Sequence, residues 1–368
     1  MEAVIEQAST DTERAEALAG RLFEALIGFQ DLGSVYLGDR LGLYRSLAED
    51  GPATSGELAA RTGLAERYVR EWLEHQAVTG ILEVERASGD FENRSFRLPG
   101  AFVPVLVDEV SPLYMAAAGK AMVGAGRPIE LVVEAFRTGG GVPYELYGET
   151  FLEGQAAFNR PAFTELLGSE WIPAMPDVHQ RLNTKSNALI ADIGMGFAWS
   201  SIALAKAFPN ATVDGFDSDA ASVERANANI AAEGMSDRVR AFVRDAGDPE
   251  LAGKYDLACA FECVHDMSDP VAVLRSMRRM VAPDGTVLVM DEKVADEFIA
   301  PGDDVERFMY GWSVLHCLPV GMADEGSVGT GTVMRSATMR RYAEDAGFTR
   351  FEILPVETDF FRFYRLDG

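Results

Sequence analysis

The amino-acid sequence predicts an α/β protein in which a mainly helical N-terminal part precedes a parallel sheet covered by helices on both faces. Strand and helix patterns alternate from residue 188 onward, and parallel strands need such a crossover helix between them. From about residue 10 to residue 49 apolar side chains recur three and four apart, which is the spacing of amphipathic helices. With 368 residues the chain is long enough for two domains.

The composition indicates an acidic globular protein. Hydrophobic residues make up 48% of the chain, and 58 acidic against 33 basic residues give a formal charge of -25. Because affinity for nucleic acid comes largely from Lys and Arg, we expect no nucleic-acid partner. The three cysteines form no Cys-x-x-Cys motif, so we expect no metal site. An acidic N-terminus and the lack of a long apolar run predict a cytoplasmic protein without a membrane partner.

The N-terminal part contains signals for a helix-turn-helix. Helical patterns run from about residue 10 to residue 49, and Thr54-Ser-Gly-Glu57 has the form of a capping box that begins a short helix. Gly63 ends that helix, and a second helix is predicted from Glu66 to Ala77. Two short helices joined by a tight turn are a helix-turn-helix.

A hairpin behind these helices would complete a winged helix. Its strands are predicted over residues 80–86 and 96–98, joined across Ser88-Gly-Asp90. A winged helix is either a DNA reader or a packing and dimerisation module. The second helix carries three acids and two arginines over residues 66–75, which suits a phosphate-lined groove poorly. We therefore favour dimerisation and expect a homodimer formed through this domain.

Residues 111–183 are predicted to be a helical linker and substrate cap between two domains, 1–110 and 184–368. Breaks are predicted at Gly126-Arg-Pro128 and at Gly139-Gly-Gly-Val-Pro143, the second as a flexible joint.

Aromatic residues beside this joint are candidates for a substrate wall. Tyr144 and Tyr147 follow it directly, and Trp312 and His316 are further tentative substrate contacts. Their alternative role is ordinary core packing, and His316 is also a second candidate for a catalytic base.

The C-terminal half alternates between strands and helices. Strands are predicted over 188–193, 211–216, 239–243, 255–261 and 285–290, with helices over 199–208, 220–234 and 270–281. After a helix over 338–346, two strands over 351–355 and 360–364 lie so close in sequence that they should pair antiparallel.

A glycine turn follows the first of these strands, in the segment Asp192-Ile-Gly-Met-Gly-Phe-Ala198. In Rossmann-like sheets ligands bind at the carboxyl ends of strands, where a glycine turn lets the backbone approach them. A dinucleotide motif would need a small residue at position 199, and Trp199 stands there. The segment therefore favours a nucleotide-type cofactor but disfavours a nicotinamide oxidoreductase.

Carboxylates end the next two strands. Asp217 lies where it could accept both ribose hydroxyls, and Asp245 where it could accept an adenine amine. Each could also be an ordinary turn or helix-capping residue.

Four motifs together resemble class I S-adenosylmethionine-dependent methyltransferases. They are Asp192-x-Gly-x-Gly, Val213-Asp-Gly-Phe-Asp217, Arg244-Asp-Ala-Gly247 and Ala260-Phe-Glu-Cys-Val-His-Asp266. The N-terminal part resembles that of small-molecule O-methyltransferases of the plant caffeate and bacterial polyketide type, most of all actinobacterial ones. In those enzymes it dimerises and helps to enclose the substrate.

The resemblance implies a seven-stranded sheet whose last strand is antiparallel, with S-adenosylmethionine as cofactor. Gly194 and Gly196 would face its methionine part and Asp217 its ribose. The full set of implied cofactor residues is Gly194, Met195, Gly196, Asp217, Asp245, Ala246 and Phe261.

The third glycine of the family's motif is replaced by Ala198, after bulky Phe197. If position 198 needs a positive φ, alanine carries a strain on the order of 1 kcal/mol. If it does not, one methyl group merely crowds the ligand.

His265 is the candidate general base. It follows the fourth strand, imidazole has a suitable pKa, and by resemblance it matches the family's His-Asp pair. The resemblance also implies an acid after the fifth strand that braces the imidazole, either Asp291 or Glu292. The sequence thus predicts methyl transfer to a hydroxyl of a small secondary metabolite.

Three alternatives stay open. The same fold supports nitrogen or carbon methylation, and it supports cofactor-assisted cyclisation or rearrangement. A winged-helix transcription regulator could keep the cofactor fold as a sensor, although the acidic charge disfavours this.

Overall fold

A computed structural model describes residues 2–87, 90–244, 253 and 255–368, with backbone alone for residues 2–9. Contacts divide the chain into two compact units, Met1–Val123 and Gly124–Gly368. The predicted three-part division stays a prediction, since contacts separate only these two units. Within the described residues, no helix is both long and apolar enough to cross a membrane.

The first unit contains the predicted winged helix. Its elements are α1 (Glu2–Arg40), α2 (Leu43–Glu49), β1 (Ala53–Thr54), α3 (Ser55–Thr62), α4 (Glu66–Val78), β2 (Glu83–Arg86), β3 (Ser95–Arg97), α5 (Val103–Leu106) and the start of α6 (Ala116–Gly126). The strands form an antiparallel sheet in the order β1-β3-β2. Ser88 and Gly89 of the predicted hairpin turn lie outside the described residues.

The predicted capping box begins α3. The Thr54 hydroxyl accepts a hydrogen bond from the Glu57 backbone N–H, and the Glu57 carboxylate accepts one from the Thr54 N–H at 2.8 Å. Two orphan donors of the first turn are thereby satisfied. Gly63, with φ 71°, ends the helix in the left-handed conformation that glycine adopts without steric cost.

Helix α1 exposes an apolar stripe within this unit. Leu18, Leu22, Leu26 and Phe29 recur at helical spacing and are all exposed, as is Phe23 beside them. Water-facing apolar side chains in such a continuous row mark a surface that another chain can cover.

The second unit is the predicted α/β domain. Its helices are α7 (Ile129–Thr138), α8 (Gly148–Leu166), α9 (Pro176–Thr184), α10 (Trp199–Ala207), α11 (Ala220–Ala232), α12 (Pro270–Met280), α13 (Asp304–Trp312), α14 (Leu318–Gly321) and α15 (Ser336–Asp345). Its strands are β4 (Ala188–Ile193), β5 (Ala211–Asp217), β6 (Val239–Val243), β7 (Tyr255–Phe261), β8 (Val281–Glu292), β9 (Arg350–Ile353) and β10 (Phe361–Asp367).

The seven strands form one sheet in the order β6-β5-β4-β7-β8-β10-β9. Strand β10 is antiparallel to both of its neighbours, and the other pairs among β4 to β8 are parallel. The predicted sheet, including its antiparallel last strand, is confirmed. From β4 the chain winds toward β6, and from β7 toward β9, so a topological switch point lies between β4 and β7.

Within the predicted joint, Gly141 and Val142 pack against later residues, while Gly139, Gly140 and Pro143 are exposed. Gly139 has φ 75° and ends α7. A Cβ atom on Gly141 would lie 2.2 Å from the Ala323 nitrogen, and the Val142 N–H donates to the Pro319 carbonyl at 2.8 Å. Two of the three glycines therefore serve a helix end and a close backbone contact.

Candidate cofactor and active site

A cavity of about 970 Å³ opens at the carboxyl ends of β4, β5 and β7. It lies at the switch point, where open α/β sheets bind ligands. The predicted cofactor residues that line it are Gly194, Met195, Gly196, Asp217 and Phe261. Asp245 and Ala246 lie outside the described residues.

The glycine turn after β4 is fixed by backbone hydrogen bonds. The N–H groups of Gly194 and Met195 donate to the Phe216 carbonyl at 2.8 and 3.2 Å, which extends the pairing of β4 with β5. Gly194 (φ 67°) and Gly196 (φ 51°) are left-handed. A Cβ atom on Gly194 would lie 2.8 Å from the Cys263 sulfur, so this position excludes a side chain as well.

Ala198 is also left-handed, with φ 65° and ψ 22°. Its N–H donates to the Met195 carbonyl at 2.9 Å, which closes the turn, and its side chain is fully buried. Of the two possibilities that the sequence leaves open, the structure shows the strained one. The cost of this conformation for a residue with a Cβ atom is on the order of 1 kcal/mol.

Asp217 joins the glycine turn to the end of β5. Its carboxylate accepts hydrogen bonds from the N–H groups of Gly196 and Asp219, each at 2.9 Å. Burial raises the pKa of Asp217 above its ordinary value. The carboxylate is therefore held at the cavity wall by backbone amides.

Asp192 anchors the helix that follows the turn. It is buried in β4 and accepts hydrogen bonds from the hydroxyls of Ser200 and Ser201 at 2.6 and 2.5 Å. Burial raises its pKa to about 6. This carboxylate positions α10 rather than contacting the cavity.

His265 lies in a buried cluster of carboxylates. Its Nδ1 is 2.7 Å from Asp291 Oδ1 and 2.9 Å from Glu292 Oε2, and its Nε2 is 3.0 Å from Asp266 Oδ1. Strands β7 and β8 are parallel neighbours, so their carboxyl ends bring the histidine and both predicted acids together. Asp291 makes the hydrogen bond, with Glu292 close beside it.

The cluster favours a protonated imidazole. Burial alone would lower the pKa of His265, but Asp266, Asp291 and Glu292 together raise it well above its ordinary value. Burial also raises the pKa of Glu292 well above its ordinary value, and the charge of His265 opposes that rise.

His265 is only 1% exposed and does not line the cavity, whereas Asp266 does. The sequence predicts the histidine directly beside the cofactor, but in the structure Asp266 lies at the cavity wall and His265 lies behind it. The reason is geometric: both residues belong to the single turn Val264–Asp266, whose last side chain points into the cavity.

Of the four tentative substrate residues, Tyr144 lines the cavity, and its hydroxyl donates to Gln155 Oε1 at 3.1 Å. Burial raises the pKa of Tyr144 well above its ordinary value, so it acts as a neutral hydrogen-bonding group.

Tyr147, Trp312 and His316 belong instead to an aromatic cluster around Phe151, and they do not line this cavity. The His316 ring lies 4.2 Å from that of Phe151 and 4.6 Å from that of Tyr147. Burial lowers the pKa of His316 to about 4, so the ring is neutral and a weak base.

Two cavity residues carry no signal of function in the sequence. Glu262, directly after β7, has φ 51° although it is not glycine. Its Oε2 accepts a hydrogen bond from Asn159 Nδ2 of α8 at 3.0 Å. Burial raises the pKa of Glu262 to about 7. The Asn159–Glu262 pair is recognised only from the structure, in which Glu262 has a positive φ and α8 packs beside it.

Two side-chain groups have the spacing of metal ligands among the described residues. They are His265 with Asp291 and Glu292, and His265 with Asp266 and Cys317. In both, the imidazole already pairs with the carboxylates, and burial raises the pKa of Cys317 to about 12, so its thiolate is disfavoured. The expectation of no metal stays a prediction.

Comparisons with known families match both halves of the chain. A methyltransferase-domain model matches residues 190–285, and a model of an Rv2258c-like winged HTH domain matches residues 34–100. A curated relative, the polyketide synthase ThaQ of Burkholderia thailandensis, is 32% identical over 102 residues. That match spans 28% of this chain and 5% of the relative's length.

Solved structures of methyltransferases share the fold along almost the whole chain. The mitomycin 7-O-methyltransferase MmcR has a TM-score of 0.68 at 18% identity, covering 97% of this chain and 99% of its own. Human N-acetylserotonin methyltransferase in complex with S-adenosylmethionine has a TM-score of 0.66 at 17% identity, covering 95% and 97%. The dimethyltransferase RosA of Streptomyces davawensis has a TM-score of 0.58 at 20% identity, covering 95% and 99%. The predicted fold class is thereby confirmed.

Replacing Ala198 with glycine should stabilise the protein without tightening cofactor binding. Removing the left-handed strain should raise the free energy of unfolding by about 1 kcal/mol, measured by denaturant titration. Glycine adopts the same left-handed turn with the same hydrogen bond to the Met195 carbonyl, so affinity for S-adenosylhomocysteine should stay within about threefold by calorimetry.

The matched control is Ala203→Gly, within α10, which should instead destabilise the protein by about 1 kcal/mol. A tenfold or greater tightening for Ala198→Gly would contradict this expectation and show that the turn must rearrange to bind.

Proposed function

We propose that the chain is a class I S-adenosylmethionine-dependent methyltransferase with an N-terminal winged-helix domain, and that it transfers the cofactor's methyl group to a small molecule. The matches to a methyltransferase-domain model and to a winged HTH model support this proposal. The acceptor atom in this proposal is a hydroxyl oxygen, and the acceptor is a secondary metabolite in the cytoplasm. The cofactor supplies an electrophilic methyl group on a sulfonium sulfur.

The observation that carries the proposal is a convergence on one cavity. The cavity is lined by the glycine turn, by Asp217 and by the Asp266 carboxylate, which pairs with His265. Methyl transfer is a direct displacement, so holding the nucleophile in line with the methyl group supplies much of the rate. Gly194, Gly196 and Asp217 would hold the cofactor, and Tyr144 and Asp266 would face the acceptor.

His265 is proposed as the general base in its neutral form. With Nδ1–H donated to Asp291, the lone pair of Nε2 repels the Asp266 carboxylate, and an acceptor hydroxyl can take its place. The hydroxyl proton moves to Nε2 as the oxygen bonds to the methyl carbon. The cofactor, held by Gly194, Gly196 and Asp217, would supply that methyl group and be left as S-adenosylhomocysteine. Asp291 then stabilises the imidazolium that forms.

A homodimer through the first unit is part of the proposal. Its support is the exposed stripe of α1 formed by Leu18, Leu22, Leu26 and Phe29. Burying this stripe against a second copy would remove its apolar surface from water. That burial stabilises a dimer by about 25 cal/mol for each Å² of apolar surface buried.

Replacing His265 with glutamine should abolish methyl transfer while sparing cofactor binding. Loss of a general base typically lowers the rate by about 10²–10⁴-fold. The assay measures S-adenosylhomocysteine formed from labelled S-adenosylmethionine with a panel of phenols. His179→Gln, in α9 and away from the cavity lining, is the control. Full activity in His265→Gln would exclude the base role.

Replacing Asp291 with asparagine should move the acid limb of the pH–rate profile to lower pH. The Asp291 charge raises the pKa of His265, and the base works only when deprotonated. Activity should therefore fall as pH drops through that raised pKa, and losing the charge should shift the fall down by about one pH unit or more. Asp284→Asn, at an exposed carboxylate, should leave the limb in place. An unmoved limb in Asp291→Asn would refute this assignment.

Replacing Leu22 with arginine should convert the dimer to a monomer. Leu22 is 61% exposed in the isolated chain, and a charge buried at the stripe would be unpaired. Glu24→Arg introduces the same side chain on the opposite face of α1 and should keep the dimer. Light scattering after gel filtration reports the mass, and an unchanged mass for Leu22→Arg would remove α1 from the interface.

A further inference from the structure

The cavity wall is strongly acidic. The carboxylate residues among the described lining are Glu145, Asp217, Glu262, Asp266, Asp269 and Asp324. Arg244 is the one lysine or arginine in that same lining. Charge of one sign around a low-dielectric cleft raises the local concentration of ligands of the opposite sign.

Most of these carboxylates already have a structural role. Asp217 accepts two backbone N–H groups, and Asp266 pairs with His265. Asp269 caps α12 through the Ala272 N–H at 2.9 Å.

The two carboxylates at the rim are exposed. Asp324 accepts a hydrogen bond from the Ser268 hydroxyl, and Glu145 faces solvent. Water screens both of them. Glu262 differs from these rim carboxylates because it is half-buried, and its carboxylate is held by the side-chain amide of Asn159.

Glu262 is held by its backbone and its side chain. The Glu262 N–H donates to the Met290 carbonyl at 2.8 Å, and Asn159 fixes Oε2 at 3.0 Å. The rings of Phe163 and Phe261, which also line the cavity, meet edge to face at 5.5 Å. A fixed carboxylate in a cavity that aromatic rings also line offers an ammonium group ionic attraction, with cation–π attraction added where the ammonium meets a ring face.

We propose that Glu262, positioned by Asn159, binds a cationic nitrogen inside the cavity. Two ligands of the proposed reaction could carry that ammonium: an acceptor with a basic amine, or the methionine end of the cofactor. The inference rests on the proposed function, because it takes the cavity as the shared site of cofactor and acceptor. It further implies that acceptors bearing a carboxylate or phosphate are disfavoured, since the like charge would meet Glu262.

The test is calorimetry on the full chain, with Glu262→Gln compared with the unsubstituted protein. Glutamine keeps the shape and the Asn159 contact but removes the charge. The probes are S-adenosylhomocysteine and three phenols that differ in one group: tyramine (ammonium), tyrosol (hydroxyl) and 4-hydroxyphenylacetate (carboxylate). Each phenol is titrated with and without S-adenosylhomocysteine.

If the acceptor carries the ammonium, Glu262→Gln should weaken tyramine binding by about tenfold or more, with tyrosol nearly unchanged, as expected for losing one charged hydrogen bond. If the cofactor carries it, the same loss should fall on S-adenosylhomocysteine instead. Glu262→Asp, which keeps the charge, should preserve the preference for the ammonium probe. Glu165→Gln, at an exposed position of α8 outside the lining, should behave like the unsubstituted protein.

Equal affinities of both proteins for tyramine and for S-adenosylhomocysteine would overturn the inference. Failure of the proposed function looks different: the unsubstituted protein would not bind S-adenosylhomocysteine at all. Tyramine binding that depends on Glu262 would then still support the inference.

Discussion

The site depends on the adjacency of β4 and β7 at the centre of the sheet. The chain leaves these two parallel strands toward opposite edges, so their carboxyl ends open a gap that no crossover helix fills. The glycine turn and Asp217 line one side of this gap, and Glu262 and Asp266 line the other. Because β7 is buried along its whole length and β4 at every position except Leu189, neither can shift without disturbing the core. The gap is therefore a fixed feature of the fold.

The position of His265 in a cluster of three carboxylates is a second constraint on the site. Three carboxylates lie within 3.0 Å of its ring nitrogens in a buried position. Each charge would be costly there alone, and the imidazolium offsets part of that cost. This mutual dependence accounts for the raised pKa of the histidine. It also makes the cluster responsive to binding, since any group that separates Asp266 from Nε2 changes the proton affinity of the ring.

The sequence predicts most of the elements because their signals are local. The strands over 188–193, 239–243 and 255–261 match the observed bounds, since apolar runs as short as these, bounded by turn residues, are more typical of strands than of helices. The capping box at Thr54 is predicted from two side chains, Thr54 and Glu57, that are three residues apart. The packing of Gly141 and Val142 could not be predicted in the same way, because their contacts are with residues 319–323, about 180 residues later in the chain.

The site is predicted less completely than the fold, because several of its contacts join residues that are far apart in the sequence. The pairing of His265 with Asp291 and Glu292 follows from parallel neighbouring strands. The screening of His265 from the cavity by Asp266 depends instead on how one short turn is oriented. The Asn159–Glu262 contact joins residues 103 apart, and no local pattern in the sequence encodes it.

Left-handed residues on both sides of the gap connect strain with function. Ala198 (φ 65°) follows β4 and Glu262 (φ 51°) follows β7, and each pays a steric cost that glycine would avoid. Such conformations persist only when surrounding contacts determine them fully. Here the Ala198 conformation is fixed by a backbone hydrogen bond to the Met195 carbonyl. Glu262 is fixed by hydrogen bonds with the Met290 carbonyl and the Asn159 side chain. Backbone held this firmly before a ligand arrives has little entropy left to lose on binding. The strain is therefore best understood as the cost of a preorganised site, located on the two loops that face each other across the switch point.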